Sequence, residues 1–194
     1  MELHKNIKTY YAASVEDWHN WLKDNHLIEK SIFLICYKKE SKVPTITYNK
    51  ALEEALCFGW IDSKINKRDD SSFYQYFAKR NPKSNWSRVN KQKIESLISQ
   101  NRLFPAGLEM VELAKKNGTW NALDAVENLE IPIDLDFEFQ KNPVAMEHFN
   151  QFSRSTNRAI LEWLFNAKKE ETRAKRIQEI LEQAKNNHKP SNFQ

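Results

Sequence analysis

The stretch "TYNKALEEALCFGWIDSKINKRDDSSFYQYFAKR", residues 47–80, carries helical periodicity at one end and strand chemistry at the other, with a glycine at the change. Ala51, Leu52, Ala55, Leu56 and Phe58 recur at helical spacing, which lays an apolar stripe along a helix whose N-cap is Thr47. Gly59 stands where that helix must stop. The residue after a helix end takes the left-handed conformation, which glycine reaches without a Cβ penalty. Beyond it, "WIDSKINKR", "DDSS" and "FYQYFAKR" read as strand, turn and strand. A four-residue turn that sets Arg68 opposite Phe73 predicts Asp62 facing Lys79 and Lys64 facing Phe77. Alternation along the strand then puts Trp60, Asp62 and Lys64 on one face.

Working outward, Ser14 is an N-cap for a helix over 15–25, with Val15, Trp18, Trp21 and Leu22 at helical spacing. "SIFLICYKK" (31–39) is β-branched and aromatic, a buried strand. Ser87 caps a helix over 87–100 with Val89, Ile94, Leu97 and Ile98 inward, and Pro105 opens a helix that Gly118 closes. The expected fold is α+β: a small antiparallel sheet (31–38, 60–68, 73–80) packed by helices at 15–25, 48–58 and 87–118, together forming a domain over 1–123. Residues 124–141 carry six acids against Lys141, so 124–142 is expected to be an acidic connection. Helices over 143–151, 156–168 and 170–186 would form a C-terminal helical lobe, 143–187, with Ala174, Ile177, Leu181 and Ala184 on one face. A mobile tail, 188–194, would follow.

At 194 residues the chain can bury a core without disulfides or metal, and 40% hydrophobic residues exclude a disordered chain. No apolar run approaches the roughly 20 residues of a membrane span, and "MELHKNIKTYYAAS" lacks the apolar core of a signal peptide. The expectation is a cytoplasmic protein with no membrane insertion. Cys36 and Cys57 lie among apolar neighbours and are expected to be buried free thiols. Five scattered histidines give no metal-ligand spacing, so no metal is expected. Three isolated glycines exclude a Walker loop and a dinucleotide fingerprint, and G-x-S-x-G, C-x-x-C and H-E-x-x-H are absent. No cofactor is implied.

The net charge of +4 is unevenly spread, because residues 64–93 alone carry +7. Within them "QYFAKRNPKSNWSRVNK" (75–91) alternates basic and aromatic residues, the composition of an anion or nucleic-acid surface. Arg80, Lys83 and Arg88 are candidates to surround one anion, with Ser84 and Ser87 donating. The candidate ligand site is a groove with Trp60, Asp62 and Lys64 on one wall and Arg80, Lys83, Trp86, Ser87 and Asn90 on the other. Arg173 and Arg176, three apart on a helix, are secondary candidates. A solvated or self-neutralised surface competes with each of these readings. Asp62 is a weak candidate general acid or base, against the plainer reading of an ion pair. The favoured function is a non-enzymatic binder of an anionic small molecule, peptide or protein partner. A single-stranded nucleic-acid binder and an enzyme using Asp62 stay open.

"TYNKALEEALCFGWIDSK", "QYFAKRNPKSNWSRVNKQKIESLI" and "WLFNAKKEETRAKRI" resemble, in order and spacing, the YdeI/OmpD-associated family of bacteriocin-protection proteins, over Trp18–Leu181. The family commonly reads Phe-Thr-Pro-Arg where this chain has Phe77, Ala78, Lys79 and Arg80, so Phe77 and Arg80 carry over. Asn101 stands where a glycine is usual, and asparagine also tolerates the left-handed conformation. The resemblance implies a small cytosolic bacterial protein linked to stress and to antimicrobial-peptide or bacteriocin resistance. It implies no reaction and no catalytic residue.

Overall fold

Local chemistry sets the element ends. Ser14 accepts from the backbone N–H of Asp17 while Asp17 accepts from that of Ser14, a reciprocal capping box that starts α1 (Val15–Asn25). Gly59, at φ +73°, separates α2 (Tyr48–Cys57) from β4 (Trp60–Lys67). Thr47 holds the N-cap position of α2, but its side chain makes no cap bond. Ser87 Oγ accepts from Asn90 N at the start of α3 (Arg88–Ser99), and Pro105 opens α4 (Pro105–Asn117), which Gly118 ends at φ +81°. Asn101, at φ +53°, does take the left-handed conformation.

The structure is a computed structural model that describes residues 2–193, and the chain divides into two units between Trp120 and Asn121. In the first, β3 (Ser31–Tyr37) and β5 (Ser72–Lys79) pair antiparallel at the centre of a five-stranded sheet ordered β1-β2-β3-β5-β4. The sheet is mixed and larger than the three strands expected. β1 (Leu3–His4) and β2 (Ile7–Tyr11) extend it, and β2 runs parallel to β3. Their two-residue turn, Lys5 and Asn6, has both φ values positive without a glycine to announce it. One sheet face, with Leu34 and Phe77, packs on Trp18, Leu22, Leu52, Leu56 and Ile94 from the helices. The other carries Phe33, Ile35 and Tyr74, with His4 stacked on Tyr74.

The hairpin register differs from the expected one. Trp60 pairs with Lys79 and Asp62 with Phe77, then an irregularity between Asp62 and Ile65 shifts the pairing to Ile65–Gln75. Asp62 therefore does not face Lys79. The extra residue is a β-bulge, and it reverses the side on which the next side chain emerges. Lys64 accordingly lies over the Tyr76 ring, 5.5 Å from its centroid, on the face opposite Phe77. In α3 the inward stripe is narrower than expected: Ile94 and Leu97 are buried, whereas Val89 and Ile98 are exposed.

The second unit is helical. Residues 124–142, whose charge suggested a connection, contain α5 (Asp124–Glu127) and α6 (Ile133–Gln140). Leu135 and Phe139 of α6 are fully buried in one core with Phe149, Ile160, Leu164 and Ile180, from α7 (Pro143–Gln151), α8 (Arg154–Phe165) and α9 (Glu170–Lys185). The acids pair inside this unit, Glu127 with Arg158 and Asp134 with Arg173. Ala174, expected on the inward face of α9, is exposed, while Ile177, Leu181 and Ala184 are buried. Near the chain end Ser191 bonds Glu179 and Phe193 packs edge-on against Trp163. Among the described residues no helix is long and apolar enough to cross a membrane.

Candidate functional site

The crossing of α2 and α4 decides what stands beside the hairpin. Gly107 lets the two backbones approach so closely that a Cβ there would fall 2.3 Å from the carbonyl oxygen of Cys57. Gly59 meets Ala106 in the same way, at 2.8 Å. This contact brings Ala106, Glu109 and Met110 of α4 alongside Phe58, Gly59 and Trp60. His26 and Leu27 from the end of α1, with Lys79 and Arg80 from the end of β5, complete the wall of a pocket of about 200 Å³.

Arg80 is the unusual member of that wall. Its backbone N–H donates to Gly59 O at 2.9 Å, which fixes the strand end against the helix end. The residue is only 6% exposed, yet no carboxylate forms an ion pair with it among the described residues. One guanidinium nitrogen, Nη2, donates to Asn85 O at 2.6 Å, while Nε is buried without a partner. The group lies 3.6 Å from the Trp86 ring centroid, a cation–π contact that replaces part of its lost hydration. Burial pushes its pKa down to about 10, so it is charged at neutral pH but holds that charge at a cost. Trp60 is buried, lines the same pocket and donates from its indole N–H to His26 O at 3.3 Å. Lys79 Nζ donates to Leu27 O at 2.7 Å and makes no ion pair among the described residues.

Two family comparisons divide the chain much as its geometry does. The model described as a domain of unknown function, DUF8412, matches residues 10–110. The chain belongs to that family. The model described as "Bacteriocin-protection, YdeI or OmpD-Associated" matches residues 128–187, so the YdeI/OmpD-associated identification holds over the helical unit. This span is narrower than Trp18–Leu181. Of the three strings that carry the resemblance, only "WLFNAKKEETRAKRI" lies inside it, and the other two fall in the DUF8412 match. No curated protein and no solved structure gives a significant match. The pocket wall lies wholly within the DUF8412 match.

Of the eight residues placed on the expected groove, the structure brings Trp60 and Arg80 into one pocket and sets Trp86 behind Arg80. The others serve elsewhere. Asp62 accepts from Tyr48 Oη at 3.0 Å and Gln75 Nε2 at 3.4 Å, and its charge helps burial raise the Tyr48 pKa to about 12. Lys64 is exposed over Tyr76, and Lys83 is exposed in the turn after β5. Ser87 is spent on capping α3, and Asn90 supplies the N–H that it accepts. Arg173 makes a two-pronged contact to Asp134, and Arg176 lies over Trp163 and donates to its carbonyl. Much of the basic segment is satisfied internally: Lys67 pairs with Asp70, Arg68 with Glu2 and Asp69, and Lys93 with Glu53.

Glu109, Met110, His26 and Leu27 were outside the candidate set. The signal that could have found the first two was Gly107, a helical glycine with no cap to make, whose only structural use is close approach. A second buried charge cluster was also missed. Glu54 is buried between His19 Nδ1, at 2.8 Å, and Arg102. The His19–Glu54 contact links α1 to α2.

Proposed function

We propose that the chain binds a small carboxylate-bearing molecule in the pocket between the α2–β4 turn, the end of β5 and α4, with Arg80 as the anchoring cation. Arg80 carries the proposal, as a buried guanidinium that no protein carboxylate neutralises. Such a group is among the most expensive a core can hold, and an incoming anion supplies the compensation that the chain withholds. The walls support a ligand with an apolar body, since Leu27, Phe58, Trp60 and Met110 line the pocket along with Arg80. Binding without chemistry agrees with the place of Asp62, which is engaged by Tyr48 and Gln75 and does not line the pocket. The single-stranded nucleic-acid reading has less support, because so many of the cations it needs are already paired. For its setting we propose a cytoplasmic role in stress or bacteriocin resistance, of which the description of the family that the helical unit matches supports the bacteriocin part alone.

Purification of the native protein from its host, followed by denaturation and mass spectrometry of released small molecules, tests this. A small organic acid is expected from the wild type and not from Arg80→Gln. A ligand retained by Arg80→Gln, or one without an acidic group, would overturn the proposal.

A further inference from the structure

The same pocket is also lined by a charge of opposite sign, one that water solvates. Glu109 lines it from α4 and is exposed, with no ion pair among the described residues. Arg80 and Lys79 share that wall, yet neither forms a salt bridge to Glu109. Two opposite charges that line one small space without pairing are too far apart to neutralise each other directly. A simple anion satisfies Arg80 but leaves Glu109 as a repulsive neighbour. A dianion fares worse. Only a ligand that carries both signs, separated by its own skeleton, satisfies both ends of the pocket.

Resting on the carboxylate reading above, we infer that the ligand is an apolar amino acid or an equivalent small zwitterion. Its carboxylate faces Arg80, its ammonium faces Glu109, and its side chain lies among Leu27, Phe58, Trp60 and Met110. At about 200 Å³ the pocket is smaller than most ligand sites, which favours a molecule no bigger than a single amino acid. The two contacts are unequal. Arg80 is buried and its interaction with a carboxylate is little screened, whereas Glu109 is exposed and contributes about a two- to fivefold preference, not an absolute requirement.

Isothermal titration and ligand-dependent thermal shift provide the test. The probes are valine, leucine, methionine and phenylalanine, each beside its deamino acid and its decarboxylated amine. Wild type should bind at least one amino acid about two- to fivefold more tightly than the matching deamino acid, and should not bind the amine. Glu109→Gln should erase that preference while still binding the acid. Arg80→Gln and Arg80→Met, checked for folding by circular dichroism, should bind neither. Equal affinity for an amino acid and its deamino acid, both lost on Arg80 substitution, overturns the zwitterion and leaves the carboxylate proposal standing. Binding that survives both Arg80 substitutions overturns the two together, as does a panel in which nothing binds.

Discussion

A guanidinium taken out of water costs several kcal/mol unless a carboxylate or a full set of acceptors replaces its hydration shell. Arg80 has one carbonyl and one indole face, which leaves a deficit. If the residue were structural, its removal would unfold or weaken the first unit. If it is held for a ligand, the free protein is strained by it. Arg80→Met, which keeps the stem and deletes the charge, should therefore melt at or above the wild-type temperature in the absence of ligand. A drop of more than about 4 °C, roughly 1–2 kcal/mol for a chain of this size, would make Arg80 a structural residue. The sequence set Trp60 and Arg80 on opposite walls of one groove, and in the structure both line one pocket at the helix-proximal end of the hairpin. It could not show that Arg80 is buried while Lys83, three residues on, is exposed. That contrast depends on Trp86 folding beneath the guanidinium, a contact fixed by packing against Trp120 and not by local pattern.

Caps and breakers made the elements themselves readable. Ser14, Ser87, Pro105, Gly59 and Gly118 each act within a few residues of where they stand, so the helix ends around them could be placed from the chain alone. What depends on a partner strand was less legible. The bulge after Asp62 has no glycine to mark it, and it moved Lys64 to the other face. The β1–β2 turn uses Lys5 and Asn6, so nothing in its composition announced a hairpin. Gly107 gives the sharpest test at this scale. Alanine normally improves a helix interior by about 0.5–1 kcal/mol over glycine. Here the new methyl would meet backbone, the Cys57 carbonyl, and the crossing of α2 and α4 would have to open. Gly107→Ala should thus destabilise by about 1–3 kcal/mol in urea denaturation, and it should weaken binding in the Arg80 pocket as well. Gly118 is the control, since an added Cβ there meets nothing within 4 Å and only the positive φ opposes it. A stabilised Gly107→Ala would refute the close crossing.

Each unit has a main hydrophobic core of its own, and the first adds a smaller apolar cluster on the other face of its sheet. In the second, thirteen buried apolar residues run from Leu123 to Ala184, and they include Leu135 and Phe139 from the segment whose acidity suggested a linker. Charge was a poor guide there because α6 alternates acids with apolar residues, and the apolar ones decide where the helix goes. Two of its acids are then met locally, Asp134 by Arg173 and Glu138 by Lys141. A unit with its own core, its own ion pairs and short helix connections has what autonomous folding requires. Residues 121–194 expressed alone should show a helical circular dichroism spectrum and a cooperative melt. Leu135→Ala within that fragment should lower its stability by about 2–5 kcal/mol, the range for emptying a fully buried leucine site. The match to the YdeI or OmpD-associated model begins at residue 128 and ends at 187, inside the same limits. A fragment that stays disordered would mean that the helical unit borrows its stability from the rest of the chain. A fragment that folds but releases no amino acid, beside a 1–120 fragment that binds one, would assign the ligand to the DUF8412 unit and leave the helical unit a separate task.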